Sequence, residues 1–303
     1  YTLHTLFPYT TLFRSLYKNP DEVSLRAPVL IALTALLASL SPPPPPVSTV
    51  APFANPTFTP PSLSHLDGDS PLEPFRDDLL SVFTSGSRSS TSRPPALEGL
   101  VNLVKIKGFL SPQEVGYVVS AINDVLTEPE GEEQYDTALE GLVVISKLHP
   151  RIIEESTLPI LFSALPSEAP APDSPENAAY RRALSALAAL CVHPDLFEIL
   201  TLRLLARLEG ICGMYFAEKD VQDRNALYAH HLLSTMRAVL KAKGDAGHTD
   251  LPKYIEKLVP RIFAIFILPT LQAMDEGEVA KDRRLLVGAG KVITLVVQKL
   301  DVE

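Results

Sequence analysis

The stretch ALEGLVVISKLHPRIIEESTLPILFS, residues 138–163, decides how the chain is read. Ala138, Leu139, Leu142 and Ile145 stand at three- and four-residue spacing, which lines one face of a helix. His149-Pro150 interrupts the pattern, and a second apolar run follows with Ile152, Ile153, Leu158, Ile160, Leu161 and Phe162, enclosing Pro159. This is the end of one helix pair and the beginning of the next. Both halves recur downstream. Ala183, Leu184, Leu187 and Leu190 repeat the first, and Lys253-Tyr254-Ile255 leading into Leu258-Val259-Pro260-Arg261-Ile262-Phe263 repeats the second, again with a proline inside the opening helix.

Worked outward, the same reading predicts helices over residues 21–40, 72–84, 94–107, 111–127, 133–149, 151–165, 176–192, 194–216, 221–243, 251–272 and 279–300. Several starts and stops have a chemical cause. Ser111-Pro112 with Glu114 supplies an N-cap, a first-turn proline and the glutamate of a capping box. Pro194 opens a helix with Asp195 in its first turn, and Gly244 and Gly247 follow Lys241 and Lys243, cations suited to a helix C-terminus. Pro28 is expected to kink or restart the first helix. Helix pairs begin near residues 72, 111, 151, 194 and 251, in steps of about 39, 40, 43 and 57 residues. A two-helix period of about 40 to 47 marks HEAT-type or armadillo-type repeats, whose units bury their apolar faces only by stacking. The fold expected is an all-α, HEAT-type (armadillo-like) helical-repeat solenoid of about five helix pairs. An irregular all-helical enzyme domain is the competing architecture.

Proline sets the domain boundaries. The chain has 28 among 303 residues, about twice the usual share, and 13 of them fall in residues 41–95 together with 11 serines. Residues 41–71, including the run at 42–46, are therefore expected to be a disordered Pro-rich linker, with residues 16–40 a remnant helix of a truncated repeat and residues 72–303 the repeat array. Residues 5–15, TLFPYTTLFRS, resemble the conceptual translation of a sequencing adapter. Residues 1–15 are set aside as an artefact, and the chain is expected to be a fragment lacking its true N-terminus. The apolar stretch at residues 29–40 is shorter than the ~20 residues of a membrane span, so no membrane partner is expected.

Composition excludes much chemistry. The net charge of −9 opposes direct nucleic-acid binding, which depends on neutralising phosphates with Lys and Arg. Cys191 and Cys212 are too few for a disulfide framework or a thiolate metal site, and their apolar neighbours give them the character of small buried hydrophobes. Gly288-Ala289-Gly290 sits in a helical pattern without a preceding strand, which suits close helix packing rather than phosphate binding. His230 and His231 are adjacent, about 100° apart on a helix, and poorly placed to share a metal. The acidic run Glu128, Glu130, Glu132, Glu133 reads as a solvated turn. No catalytic, cofactor-binding or metal site is expected, and the protein is read as a non-enzyme.

Beyond residues 138–169, the blocks His193-Pro194-Asp195-Leu196-Phe197-Glu198 and Asp250-Leu251-Pro252-Lys253-Tyr254 complete a resemblance over about residues 72–303. The chain resembles fungal members of the HEAT-repeat scaffold family of the cytosolic iron-sulfur targeting complex, first described as DNA-repair and RNA polymerase II transcription factors. The resemblance implies central repeats of a longer protein. It also implies a noncatalytic adaptor, cytoplasmic and nuclear, with no cofactor bound directly. Its implied partners are a WD40 propeller, a small cluster carrier, and apo iron-sulfur enzymes such as helicases, polymerases and primase. A transport-type HEAT adaptor, importin-like or coat-like, binding targeting signals or small GTPases, is the alternative. In such arrays the second helices usually line the concave side. Arg181, Arg182, Arg237, Lys241, Arg283 and Arg284 are accordingly expected to form a protein-binding ridge, against the plainer reading of ordinary solvated charges.

Overall fold

A computed structural model describes residues 26–40, 72–89, 91–128, 132–272 and 279–298. The expectations for residues 1–15 and 41–71, and for a first helix starting at Asp21-Glu22, lie outside them. The described residues divide into two compact units, residues 1–148 and 149–303.

In the first unit, α1 is described over Arg26–Leu40 and contains Pro28. A 3-10 turn, Glu73–Phe75, leads into α2 (Arg76–Ser87), followed by α3 (Arg93–Lys105), α4 (Pro112–Thr127) and α5 (Glu132–Leu148). Helix α2 pairs with α3 and α4 with α5, while α3 also packs on α5 and α2 on α4, the two-row arrangement of stacked helix pairs. Helix α1 packs on α3. The Ser111 capping box forms as expected: the Ser111 side chain accepts from the Glu114 N–H and Glu114 accepts from the Ser111 N–H at 2.7 Å. The Ser111 side chain foremost, then this backbone bond and the Arg76 charge, hold the Glu114 carboxyl below its usual range. Helices α2 and α3 come very close at Gly99, where a Cβ would run into the fully buried Phe83 ring.

A buried cation closes this unit. Arg93, the first residue of α3, donates through Nε to the Ser87 carbonyl (2.8 Å) and through Nη1 to Glu128 (2.7 Å) and to Gln134. One planar guanidinium thus ties the ends of α2 and α4 to the start of α5, using the fork of donors that distinguishes arginine from lysine. Glu128 stays exposed, as the solvated turn expected of it requires, while its carboxylate reaches in to the buried Arg93 guanidinium. Glu130 lies outside the described residues.

The second unit contains α6 (Pro150–Ser156), α7 (Leu158–Ser163), α8 (Glu176–Leu190), α9 (Pro194–Cys212), α10 (Lys219–Asp245), α11 (Ile255–Ile262), α12 (Leu268–Leu271) and α13 (Arg283–Val297). First helices α6, α9 and α11 contact in sequence, and so do second helices α8, α10 and α13. The five expected helix pairs are all present, and every described element is helical, as an all-α helical-repeat fold of HEAT type requires.

Two expected helices are not continuous. Residues 151–165 break at Thr157, because Pro159 cannot donate to the turn before it and its ring crowds that turn. Residues 251–272 comprise a 3-10 turn (Leu251–Tyr254), α11 with Pro260 inside it, a π turn at Phe263–Ile267, and α12. Here the helix continues past Pro260 and accommodates the disrupted ladder by widening to i→i+5 bonding, with the Leu268 N–H reaching the Phe263 carbonyl.

Helix α10 ends in a Schellman motif: His248 N–H bonds to the Lys243 carbonyl (3.0 Å) and Gly247 N–H to Gly244 (3.2 Å), with Gly247 at φ 72°. Gly247 serves as the stop signal while Gly244 remains inside the helix. Lys243 does not reach back to its own helix end. Its side chain is fully buried, pairs with Asp250 at 2.8 Å, donates to the Val192 carbonyl at 3.1 Å, and lies 5.3 Å from the centre of the Phe197 ring and 5.9 Å from that of Tyr254. The Phe197 and Tyr254 rings meet edge to face at 4.7 Å, and the Tyr254 hydroxyl lies within hydrogen-bond reach of Asp250 (3.1 Å) and the Pro194 carbonyl (3.3 Å). Burial pushes the Asp250 carboxyl up, but the hydrogen bond and charge of Lys243 and the Tyr254 hydroxyl outweigh it, and the net displacement is downward.

Removing one partner of a buried pair strands the other. Lys243→Ala should lower the unfolding free energy by about 3–5 kcal/mol, read from urea titration. Lys241→Ala, two residues away and exposed, should stay within about 0.5 kcal/mol of wild type. Similar small losses for both would remove the pair from its structural role.

Candidate functional site

Helices α8, α10 and α13 lie side by side because each turns an apolar stripe inward. On α10, Leu232, Leu233, Met236, Val239 and Leu240 are all buried; on α13, Leu285, Ala289, Val292 and Val296 are. The opposite stripes border two adjoining grooves. Between α10 and α13 runs one of about 360 Å³, lined by His230, Leu233, Ser234 and Arg237 on one side and Arg283, Arg284, Val287, Gly288 and Lys291 on the other. The two helices approach closely at Gly288, where a Cβ would come 2.8 Å from the end of the Leu233 side chain and would push it aside. Gly290 faces open space. The expectation of close packing around Gly288-Ala289 thus holds at those two residues alone.

Between α8 and α10 lies a groove of about 320 Å³ bordered by Arg181, Leu184, Ser185 and Ala188 and by His231, Ser234, Thr235 and Ala238. Ser234 lines both. Four of the six expected ridge residues therefore border these grooves: Arg181 borders one, and Arg237, Arg283 and Arg284 border the other. Arg182 is half-buried on α8 and Lys241 is exposed on α10, and neither lines a groove. Lys291 and Val287 were not singled out in the sequence, although Arg283, Val287 and Lys291 stand at four-residue spacing and so share a stripe with a predicted ridge member.

Asp282 caps α13 and holds Arg284 by two parallel bonds of 2.9 and 2.7 Å, which pulls its carboxyl below the usual range and raises the guanidinium. His230 and His231 flank Ser234 on opposite sides, their rings 6.4 Å apart and each opening on a different groove. His231 Nδ1 lies 3.1 Å from the Tyr180 hydroxyl. Burial depresses the His231 imidazolium first, and the positive charges of Arg181, His230 and Arg284 add to it. The arrangement is a basic, partly apolar surface in which the Ser234 hydroxyl lies 3.5 Å from His230 Nε2. Among the described residues no three His, Cys, Asp or Glu converge as metal ligands. Burial pushes the Cys191 and Cys212 thiols up to about 12, the state of unreactive core cysteines.

A third groove, about 940 Å³, lies between α6–α7 and α9 and is lined by Leu158, Pro159, Phe162, Ile199, Arg203 and Met214 among others. Arg207 at its border is engaged with the Leu165 carbonyl (3.2 Å) and the Ser167 hydroxyl (3.3 Å).

Residues 183–303 match a family model described as RNAPII transcription regulator C-terminal. The matched span contains the whole α10/α13 groove. Over 97 residues the chain is 27% identical to the DNA repair/transcription protein MMS19 of Saccharomyces cerevisiae, an alignment covering 30% of this chain and 9% of that protein. Among solved structures, an engineered protein from a structural-genomics programme is 13% identical, with a TM-score of 0.38 over 96% of this chain and 97% of its own. The designed armadillo repeat protein YIII(Dq)4CqI is likewise 13% identical, with a TM-score of 0.38 over 94% and 98%.

The His231 shift gives stability a pH dependence. An unfolded histidine titrates near 6.5. Below that pH the unfolded chain takes up a proton that folded His231 resists, so the folded state loses stability as pH falls from about 6.5 toward the lowered folded value. Melting temperatures measured between pH 8 and 5 should fall on acidification, and His231→Gln should flatten that fall; identical slopes would contradict the assignment.

Proposed function

We propose that this chain is a segment of a noncatalytic scaffold that brings apo iron-sulfur proteins of DNA replication, repair and transcription to cluster-bearing partners. The observation that carries this reading is the coincidence of the family match over residues 183–303 with a row of second helices whose exposed side is basic and grooved. The yeast relative, a DNA repair/transcription protein, supports the client class. The resemblance of residues 138–169 and of the blocks at 193–198 and 250–254 supports the delivery role.

In this reading the cluster is cargo and resides on the partners: a WD40 propeller, a small cluster carrier, and client helicases, polymerases and primase. A surface of stacked helices suits such work, since an extended row of grooves holds several partners without an active site. The scaffold acts in the cytoplasm and the nucleus.

Affinity capture on the immobilised chain, with mass spectrometry of what is retained, tests the proposal. Enrichment of the propeller, the carrier and iron-sulfur enzymes over a matched helical-repeat control is expected. Retention of small GTPases or targeting-signal proteins in their place, or of none of the expected partners, would overturn it.

A further inference from the structure

The α10/α13 groove holds more positive charge than its own carboxylates neutralise. Arg284 is committed to Asp282. Arg237, Arg283 and Lys291 are exposed and have no ion-pair partner among the described residues. Three unmatched cations therefore surround a narrow groove whose floor is apolar: Leu233 is buried beneath it, the helices approach closely at Gly288, and Val287 is 50% exposed on its wall. All this stands in a chain whose net charge is −9.

We propose that the α10/α13 groove docks a short acidic peptide segment of a partner protein, with one apolar side chain seated against Val287 and Leu233 and flanking carboxylates paired to Arg237, Arg283 and Lys291. The charge is complementary, and arginine in particular offers carboxylates a two-point contact. The volume, about 360 Å³, suits a side chain or two rather than a globular surface. A nucleic acid fits less well: nonspecific binding draws on a larger number of phosphate contacts than three cations provide, and the apolar floor offers a phosphate backbone nothing. The inference rests on the scaffold reading in that it gives the scaffold's surface a partner chemistry.

Fluorescein-labelled dodecapeptides of Asp and Glu with a single central Leu, Ile, Phe or Met serve as probes, titrated with the purified full chain by anisotropy. Matched Asn/Gln peptides and a single-stranded oligonucleotide are the comparisons. The acidic peptides should bind at least about tenfold more tightly than the amide peptides, with affinity falling as salt is raised. The Arg283→Glu/Lys291→Glu chain should lose about tenfold or more, and Val287→Asp a comparable amount, whereas Lys253→Glu, a charge reversal outside the groove, should not change affinity. Circular dichroism confirms that each variant is folded. No preference for acidic over amide peptides, no binding up to the solubility limit, no effect of the groove variants, or tighter competing binding by the oligonucleotide would each overturn the proposal. Wild-type capture of targeting-complex subunits alongside any of those results fails the groove alone; absence of capture with intact peptide binding fails the scaffold reading.

Discussion

Burying the Lys243 ammonium is the constraint around which the second unit is organised. Withdrawing a charge from water costs several kcal/mol unless partners replace the lost hydration, and no single element could supply them all. Asp250 gives the counter-charge, Val192 a carbonyl from the end of α8, Phe197 a ring face from the start of α9, and Tyr254 a ring face from the turn before α11. Three successive helix pairs must therefore stand in one mutual position for the charge to be tolerated. Apolar stacking favours many nearby registers almost equally; a buried charge with four fixed partners favours one. The Tyr254 hydroxyl, between Asp250 and the Pro194 carbonyl, extends the same network to the first turn of α9, and burial with the Asp250 charge pushes its own ionisation well upward.

The first unit meets the same requirement with the other cation. Arg93 sits at a helix start instead of a helix end, and its partners are a carbonyl, a carboxylate and an amide instead of two rings. The difference follows from chemistry: a guanidinium spreads its donors over a plane and can bridge three chain ends, whereas an ammonium is compact and can be enclosed by aromatic faces. Lys243 lies where one helix pair gives way to the next, and Arg93 lies at the turn within the α2/α3 pair, from which it reaches the corresponding turn of the α4/α5 pair. Those junctions concentrate unpaired carbonyls at helix ends, which a buried donor satisfies while it fixes the angle between pairs.

This also explains how much of the chain could be read in advance. The helix-pair period, the proline starts and the Ser111 capping box are local, and local chemistry decided them. The breaks at Thr157 and Phe263–Ile267 depend on how strongly tertiary packing opposes a proline, which spacing does not encode: Pro159 and Pro260 stand in similar text, yet one splits its helix and the other is absorbed. Lys243 was legible only as a cation near a helix C-terminus, because its burial is created by Val192, Phe197, Asp250 and Tyr254 arriving from three other elements. The blocks at residues 193–198 and 250–254, separate in sequence, face one another across this lysine. Their joint presence is thus a single structural fact.

The grooves on the second-helix row follow from the same geometry and were legible to the same degree. Basic residues at helical spacing could be placed on α8, α10 and α13, but which of them share a groove depends on the α10–α13 approach at Gly288 and on Asp282 withdrawing Arg284. The chain's negative balance does not cancel what remains. At physiological ionic strength a charge is screened beyond about 8 Å, so a ligand in the groove responds to Arg237, Arg283 and Lys291 rather than to the distant carboxylates, while a long polyanion spans many screening lengths and meets the acidic remainder of the chain as well. Local concentration of cations within an acidic protein therefore favours short anionic segments over extended ones, a selectivity that arises from where the charges stand and not from how many there are.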